Sequence, residues 1–473
     1  MSLILHRLGF FCLIVGLSLA VHGASRAPNL VVIMTDDQGY EDVGFNGSPD
    51  LLTPQIDSIA RHGVRFTDGY VAYSVCSPSR AAFLTGRYGQ RYGYERNPRY
   101  QPDNPQSGLA RTETTLADAL KSVGYRTGVI GKWHLGAHPD LHPLRRGFDE
   151  FYGHLGGGHR YLPEELTLEN PAEARSEAES YRTWLNRDYT PVRTRDYLTD
   201  ELSQAAVDFI DRHHAAPFFL FLAYNAPHAP LQATARHLER FSHIPNERRR
   251  TYAAMLGAVD DGVGRVLAQL RRHGLIDDTL IFFLSDNGGP TADNASSNKP
   301  LRGTKGSPWE GGIRVPFAAQ WPGHIPAGLV YTQPVISMDI FATMAAQVSP
   351  TLPPGRPLDG VNLLPFLTGA QTGAPHDAIF LRMFDRGSFA VRSGTYKLVI
   401  PAAGATAELY DLGRDVSESR NLAASLPEVV AELDRRRNAW ASQLIDPVFE
   451  GLVTDPRRTP ASPPAPLPAS TRP

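Results

Sequence analysis

The stretch Leu30-Val31-Val32-Ile33-Met34-Thr35-Asp36-Asp37 decides the fold. Its first five residues are apolar and mostly β-branched, with nothing polar to face water on either side. That is the pattern of a strand buried on both faces of a parallel sheet. Three other runs have the same character: Thr127 to Ile130, Phe218 to Ala223 and Leu280 to Leu284. Helical patterns lie between them. Thr53-Pro54 opens a segment carrying Ile56, Ile59 and Ala60 that stops at Gly63, and Thr115 to Val123 puts Leu116, Ala119 and Leu120 on one face before Gly124. A longer helix is expected from about Glu247 to Arg272, ahead of Gly274. Strands alternating with helices predict an α/β fold, a mostly parallel central sheet sandwiched by helices.

Working outward, the segment from His159 to Asp196 is polar and interrupted by Pro163, Pro171 and Pro191, as in an insertion over the sheet edge or the pocket rim. After Pro365 the character shifts. Ile379 to Met383, Phe389 to Arg392 and Lys397 to Ile400 read as short antiparallel strands, and Leu426 to Leu444 as a helix. These predict a smaller C-terminal α+β subdomain. The stretch from Thr454 to Pro473 is rich in Pro, Ala and Ser and is expected to be disordered. At the other end His6 and Arg7 precede an apolar run from Leu8 to Val21 and then Gly23, Ala24 and Ser25. That order is a secretory signal, and the run is shorter than the roughly 20 residues of a membrane span. The expected divisions are therefore 1–24 as signal, 25–370 as the main α/β unit, 371–450 as the subdomain and 451–473 as the tail. The protein is expected to be exported, periplasmic or secreted, with no stable membrane anchor.

A net charge of -2 argues against a nucleic-acid partner, so any anionic substrate must be met by a few local cations. Of the two cysteines, Cys12 lies in the signal, which leaves Cys76 alone in the mature chain. An exported protein with one thiol has no disulfide framework, and that cysteine is either incidental or chemical.

Ligand sites in open α/β sheets lie beyond the carboxyl ends of the strands. All four runs end in polar clusters: Asp36-Asp37, Gly131-Lys132-Trp133-His134, Asn225-Ala226-Pro227-His228 and Asp286-Asn287-Gly288-Gly289. Each alone also fits a turn, a cap or a rigid loop; together they imply one pocket. Asp36, Asp37, Asp286 and Asn287 form a hard oxygen-donor set suited to Ca²⁺ or Mg²⁺. Lys132 and His134, two apart, would share a face if the chain there is extended. Lys305 lies between Gly303 and Gly306, where the backbone can approach a ligand closely. In Cys76-Ser77-Pro78-Ser79-Arg80, Pro78 suits the first turn of a helix, which puts Cys76 at an anion-stabilising N-terminus with Arg80 one turn in.

That last segment, continued through Leu84-Thr85-Gly86, resembles the signature of the type I sulfatases of the alkaline-phosphatase-like superfamily. The resemblance extends to Gly131 through Gly136, Pro227 through Pro230, Asp286-Asn287-Gly288, Lys305-Gly306 and Glu310-Gly311-Gly312, and on to Glu408 through Leu412. It implies that a maturase oxidises Cys76 to Cα-formylglycine, whose hydrate attacks a sulfate ester. It further implies one divalent cation held by Asp36, Asp37, Asp286, Asn287 and residue 76. Arg80, Lys132 and Lys305 would take the sulfuryl oxygens, His228 together with Lys305 would protonate the leaving oxygen and His134 would deprotonate the hydrate. The implied substrate is a sulfated polysaccharide or glycosaminoglycan fragment, with His159 and Arg160 as expected sugar contacts. The rival readings are a phosphodiester or phosphonate monoester hydrolase of the same superfamily, and a silent glycan-binding protein if Cys76 stays unmodified. Asn46-Gly47-Ser48 and Asn294-Ala295-Ser296 match glycosylation sequons.

Overall fold

The computed structural model describes residues 27–452. The expected signal, and all but the first two residues of the expected tail, lie outside them. The strands of the main sheet are, in chain order, β1 (Asn29–Thr35), β2 (Val64–Phe66), β3 (Arg126–Lys132), β4 (Glu150–His154), β5 (Leu185–Arg187), β6 (Thr190–Val192), β7 (Phe218–Ala223), β8 (Thr279–Ser285), β9 (Phe317–Gln320) and β10 (Leu329–Tyr331). They form one ten-stranded sheet in the order β10-β2-β9-β8-β1-β7-β3-β4-β5-β6. The middle five, β8 through β4, run parallel, with Met34 registered against Ala223 on one side and Leu284 on the other. All four strands expected from the sequence lie in this parallel block. The polar segment after His159 supplies β5 and β6, which extend the sheet edge, β5 antiparallel to β4 and β6 antiparallel to β5.

Alternation along β1 splits the core in two. Leu30, Val32 and Met34 face one layer, packed under α2 (Cys76–Thr85) and α3 (Leu116–Ser122), while Val31 and Ile33 face the other. That second layer holds α1 (Pro54–Arg61), α4 (Leu198–His213) and α5 (Glu247–Arg272). The local signals explain the helix ends. Thr115 and Asp118 form a reciprocal capping box at α3, and Asn246 accepts from the Arg249 N–H at α5, the same spans the apolar periodicity predicts. α2 differs: its N-cap, Val75, has no side-chain oxygen, and the Ser77 N–H is instead taken by Asn97 Oδ1 at 2.9 Å from a distant loop.

A separate four-stranded antiparallel sheet, with strands Ile379–Met383, Ser388–Ser393, Tyr396–Ile400 and Glu408–Asp411, is covered by the helix Pro427–Ala441. Six buried charges join it to the main sheet. Glu310 meets Lys397 at 2.8 Å and Arg314 at 3.2 Å; Lys397 also meets Glu418 at 2.9 Å, and Asp68 meets Arg314 and Arg392. The chain then returns, and residues 445–452 run beside residues 90–99 through backbone bonds such as Val448 N–H to Gly93 O and Leu452 N–H to Asn97 O. Among the described residues no helix is long and apolar enough to cross a membrane.

Candidate active site

The four strand ends converge as the parallel register requires. At the end of β1, Asp37 turns through a left-handed conformation (φ +64°), which swings both carboxylates toward β8. Its N–H donates to Asp286 Oδ1 at 3.2 Å. The Asn294 side chain secures that turn by donating to the Asp37 carbonyl at 2.9 Å; Asn294 is fully buried, so the second sequon is structural and not a glycan acceptor. The Asn46 amide likewise donates inward, to the Tyr40 carbonyl.

Cys76 occupies the first turn of α2, buried, its thiol 3.4 Å from Asp36 Oδ1 and 3.9 Å from Asp37 Oδ1. Single ligand atoms of Asp36, Asp37, Cys76 and Asp286 all lie within 4.8 Å of one another. Asn287 donates its amide N–H to Asp37 Oδ1 at 2.7 Å, while its Oδ1 is buried without a hydrogen-bond partner among the described residues. Three carboxylates, an orphaned amide oxygen and residue 76 in one buried pocket fit a hard divalent cation such as Ca²⁺ or Mg²⁺.

Cations line the rest of the pocket. Arg80 reaches back one turn, its Nε and Nη2 held by Asp286 at 2.9 and 2.8 Å. Lys132 Nζ lies 2.5 Å from Asp36, and Lys305 Nζ lies 2.7 Å from Asp37. Burial raises the Asp37 carboxyl, but Lys305, His228 and Lys132 outweigh it and hold the group down at about 2. For Asp286 the balance reverses: burial, joined by Asp36, pushes it up to about 6 despite Arg80. Burial, again with Asp36, also pushes the Cys76 thiol well up, so these surroundings do not favour a thiolate.

His228 gives its Nδ1–H to the Ala229 carbonyl at 2.6 Å, which leaves Nε2 facing the pocket, 3.6 Å from Asp37. Burial holds it low, at about 3. His134 is buried with neither ring nitrogen partnered among the described residues, and burial together with Lys132 and Arg80 holds it well below the usual imidazole range. The expected extended geometry from Lys132 to His134 does not occur. β3 ends at Lys132 and His134 is left-handed (φ +58°), a shape fixed by the Ser77 hydroxyl donating to the His134 carbonyl at 2.6 Å.

The expected contact of His159 with a sugar is corrected. His159 is fully buried, with both ring nitrogens against backbone carbonyls, Arg160 O at 2.7 Å and Thr183 O at 2.9 Å, so it pins the insertion rather than meeting a ligand. Arg160 is paired with Glu165 at 2.8 Å. Sequence reasoning missed other residues here. Asn97 gave no pattern, lying in a loop far from α2. His154, buried with neither ring nitrogen partnered among the described residues, ends β4 beside Lys132. Glu177 and Tyr181 approach because Gly157 and Gly158 lack side chains: a Cβ would stand 2.9 Å from His134 Nε2 at Gly157 and 2.5 Å from the Tyr181 ring at Gly158. The glycine run was the only signal for them.

Comparison with known proteins agrees with this geometry. The model of the Sulfatase family matches residues 28–349. N-acetylgalactosamine-6-sulfatase of Mus musculus is 36% identical over 405 residues, 81% of this chain and 72% of that protein. Arylsulfatase A of Bos taurus is 34% identical over 457 residues, 86% of each. The crystal structure of Ps i-CgsB superposes with a TM-score of 0.84 at 38% identity, covering 89% of this chain and 94% of that one; it was also solved in complex with k-i-k-neocarrahexaose. With the family matched over most of its length and a complete strand-end pocket, the chain belongs to the sulfatase family and is an enzyme that hydrolyses sulfate esters.

Proposed function

We propose that the chain removes sulfate from a sulfated carbohydrate, a polysaccharide or glycosaminoglycan fragment, with residue 76 acting as Cα-formylglycine. The observation that carries this reading is the placement of Cys76. It sits at the N-terminus of a buried helix, between an acidic donor set and the cations Arg80, Lys132 and Lys305. The carbohydrate class rests on the names of the relatives and on the oligosaccharide bound to Ps i-CgsB. The order of segments at the N-terminus supports export to the periplasm or medium, with a transient encounter with a maturase on the way.

Asp36, Asp37, Asp286, Asn287 and residue 76 would hold the cation. Bound there, Ca²⁺ or Mg²⁺ supplies Lewis-acid charge to the sulfuryl group and to the hydroxyl of residue 76. Arg80, Lys132 and Lys305 neutralise the sulfuryl oxygens; Asp286, Asp36 and Asp37 already orient them, so little reorganisation is needed in the transition state. Lys305, whose ammonium meets the same Asp37 carboxylate as His228, supplies the proton for the leaving oxygen, and His228 Nε2, left as an open acceptor by the Nδ1–H bond to Ala229, relays it. His134 takes the proton whose loss releases sulfate and restores the aldehyde.

The test is the mass of the tryptic peptide 66–80 from protein made with a maturase, together with turnover on sulfated oligosaccharides. An aldehyde in place of the thiol, with sulfate release, is expected; a thiol in an active enzyme would overturn the nucleophile. The variant Cys76→Ser is expected to accumulate one sulfate on residue 76 and stop, because a serine ester has no second hydroxyl to expel it. Sustained turnover by that variant would count against the aldehyde.

A further inference from the structure

Two side chains at the mouth of the pocket have no part in the chemistry above. Arg386 ends the turn Phe384–Arg386 of the C-terminal sheet, and its neighbours are committed: Arg382 to Glu95, and Asp385 to Arg96 at 2.7 Å. Arg386 itself uses only its carbonyl, which accepts from Ala403 N–H. Its guanidinium is exposed and has no ion-pair or hydrogen-bond partner among the described residues. Yet it is close to the reaction centre. Its Nη2 lies 3.5 Å from where a Cβ on Gly306 would stand, and Val75 Cγ1 lies 4.0 Å from the same point. Gly306 follows Lys305 and Val75 precedes Cys76, while Gly306 N–H is bonded to Ser74 O. The positive charge of Arg386 thus extends that of Lys305 outward.

On the His228 side stands Tyr181, half-buried, its ring edge-on to His228 with centroids 6.3 Å apart. Its hydroxyl makes no hydrogen bond among the described residues. An amphipathic ring beside His228, its polar tip without a hydrogen bond among the described residues, suits the face of a pyranose. A planar guanidinium fork suits a carboxylate or sulfate in bidentate contact.

We propose that Tyr181 and Arg386 form a recognition subsite selecting a sugar sulfate that carries a second anionic group, with Tyr181 stacking on the ring and Arg386 binding that group. This rests on the sulfatase reading of the pocket. It is tested by calorimetric binding to Cys76→Ala protein, so that recognition is measured apart from turnover. The ligands are three matched disaccharides, each sulfated on the same sugar, whose neighbouring sugar is neutral, a uronate, or itself sulfated. The uronate or the doubly sulfated ligand is expected to bind at least tenfold tighter than the neutral one, and whichever does identifies the second anion. Arg386→Gln is expected to remove most of that preference, about 10- to 100-fold, with Arg386→Lys restoring part of it. Tyr181→Ala is expected to weaken all three alike. Equal binding of the three ligands, or a preference untouched by Arg386→Gln, overturns the subsite. Wild-type protein that carries formylglycine, binds with this preference and releases no sulfate would overturn the hydrolase reading and leave the subsite standing.

Discussion

Asn287 divides one amide between two tasks. Its N–H holds Asp37 at 2.7 Å, and its oxygen lies buried with no donor among the described residues. Leaving such an oxygen dry costs roughly 1–3 kcal/mol, so the position is expected to be stabilised by a cation. Calcium at about 100 times its Kd should then raise stability by about 2.7 kcal/mol, read as an upward shift of Tm that a chelator reverses. Asn287→Leu is expected to weaken Ca²⁺ binding by about 10- to 100-fold, the scale on which even outer-shell partners act. An unchanged calcium midpoint in that variant would remove Asn287 from the ligand set. Asp36, Asp37, Asp286 and Asn287 were legible in sequence because each directly follows a run that could only be a buried strand. His159 was misread because a histidine after three glycines looks exposed, and only its carbonyl partners reveal it as structural.

Among the elements, α2 shows what sequence leaves out. Local reading placed its start at Cys76 from Pro78, yet the cap comes from Asn97, which no spacing rule connects to Val75. Asn97→Ala is expected to cost about 1 kcal/mol in urea unfolding and to lower kcat more than it raises KM, with Asn97→Asp recovering most of both. Equal kcat in the alanine variant would confine Asn97 to stability. The contact of α1 with α5 makes a second prediction. Asp260 Oδ1 accepts from the Gln55 and Ile56 N–H groups at 2.9 and 2.8 Å, and burial pushes its carboxyl up to about 7. A carboxyl raised on folding favours the folded state fully below its unfolded value near 3.8 and loses that contribution as pH rises through about 7. Asp260→Asn keeps an acceptor and removes the ionisation. Relative to wild type it should therefore gain stability between pH 4 and pH 8, as measured by denaturant midpoints. A constant difference across that range would rule the titration out.

At the scale of the whole molecule, the cluster of Asp68, Glu310, Glu418, Arg314, Arg392 and Lys397 fastens the antiparallel sheet to the parallel one. The Glu310-Gly311-Gly312 motif was visible in sequence, but not its partner, because Lys397 arrives from a strand whose alternation says only that it is half-buried. Lys397→Met strips Glu310 and Glu418 of a shared counter-charge and is expected to cost about 3–5 kcal/mol, seen as a lower urea midpoint. A loss under about 1 kcal/mol would mean that the cluster relaxes around the gap or admits water. The burial of α2 reaches furthest. All ten of its residues, Cys76 through Thr85, are enclosed, so no enzyme can grip Cys76-Ser77-Pro78-Ser79-Arg80 once the sheet has closed over it. The oxidation proposed for residue 76 would therefore have a deadline. It would belong to the nascent chain, and a molecule that folded first would keep its thiol, correctly shaped but without the proposed nucleophile.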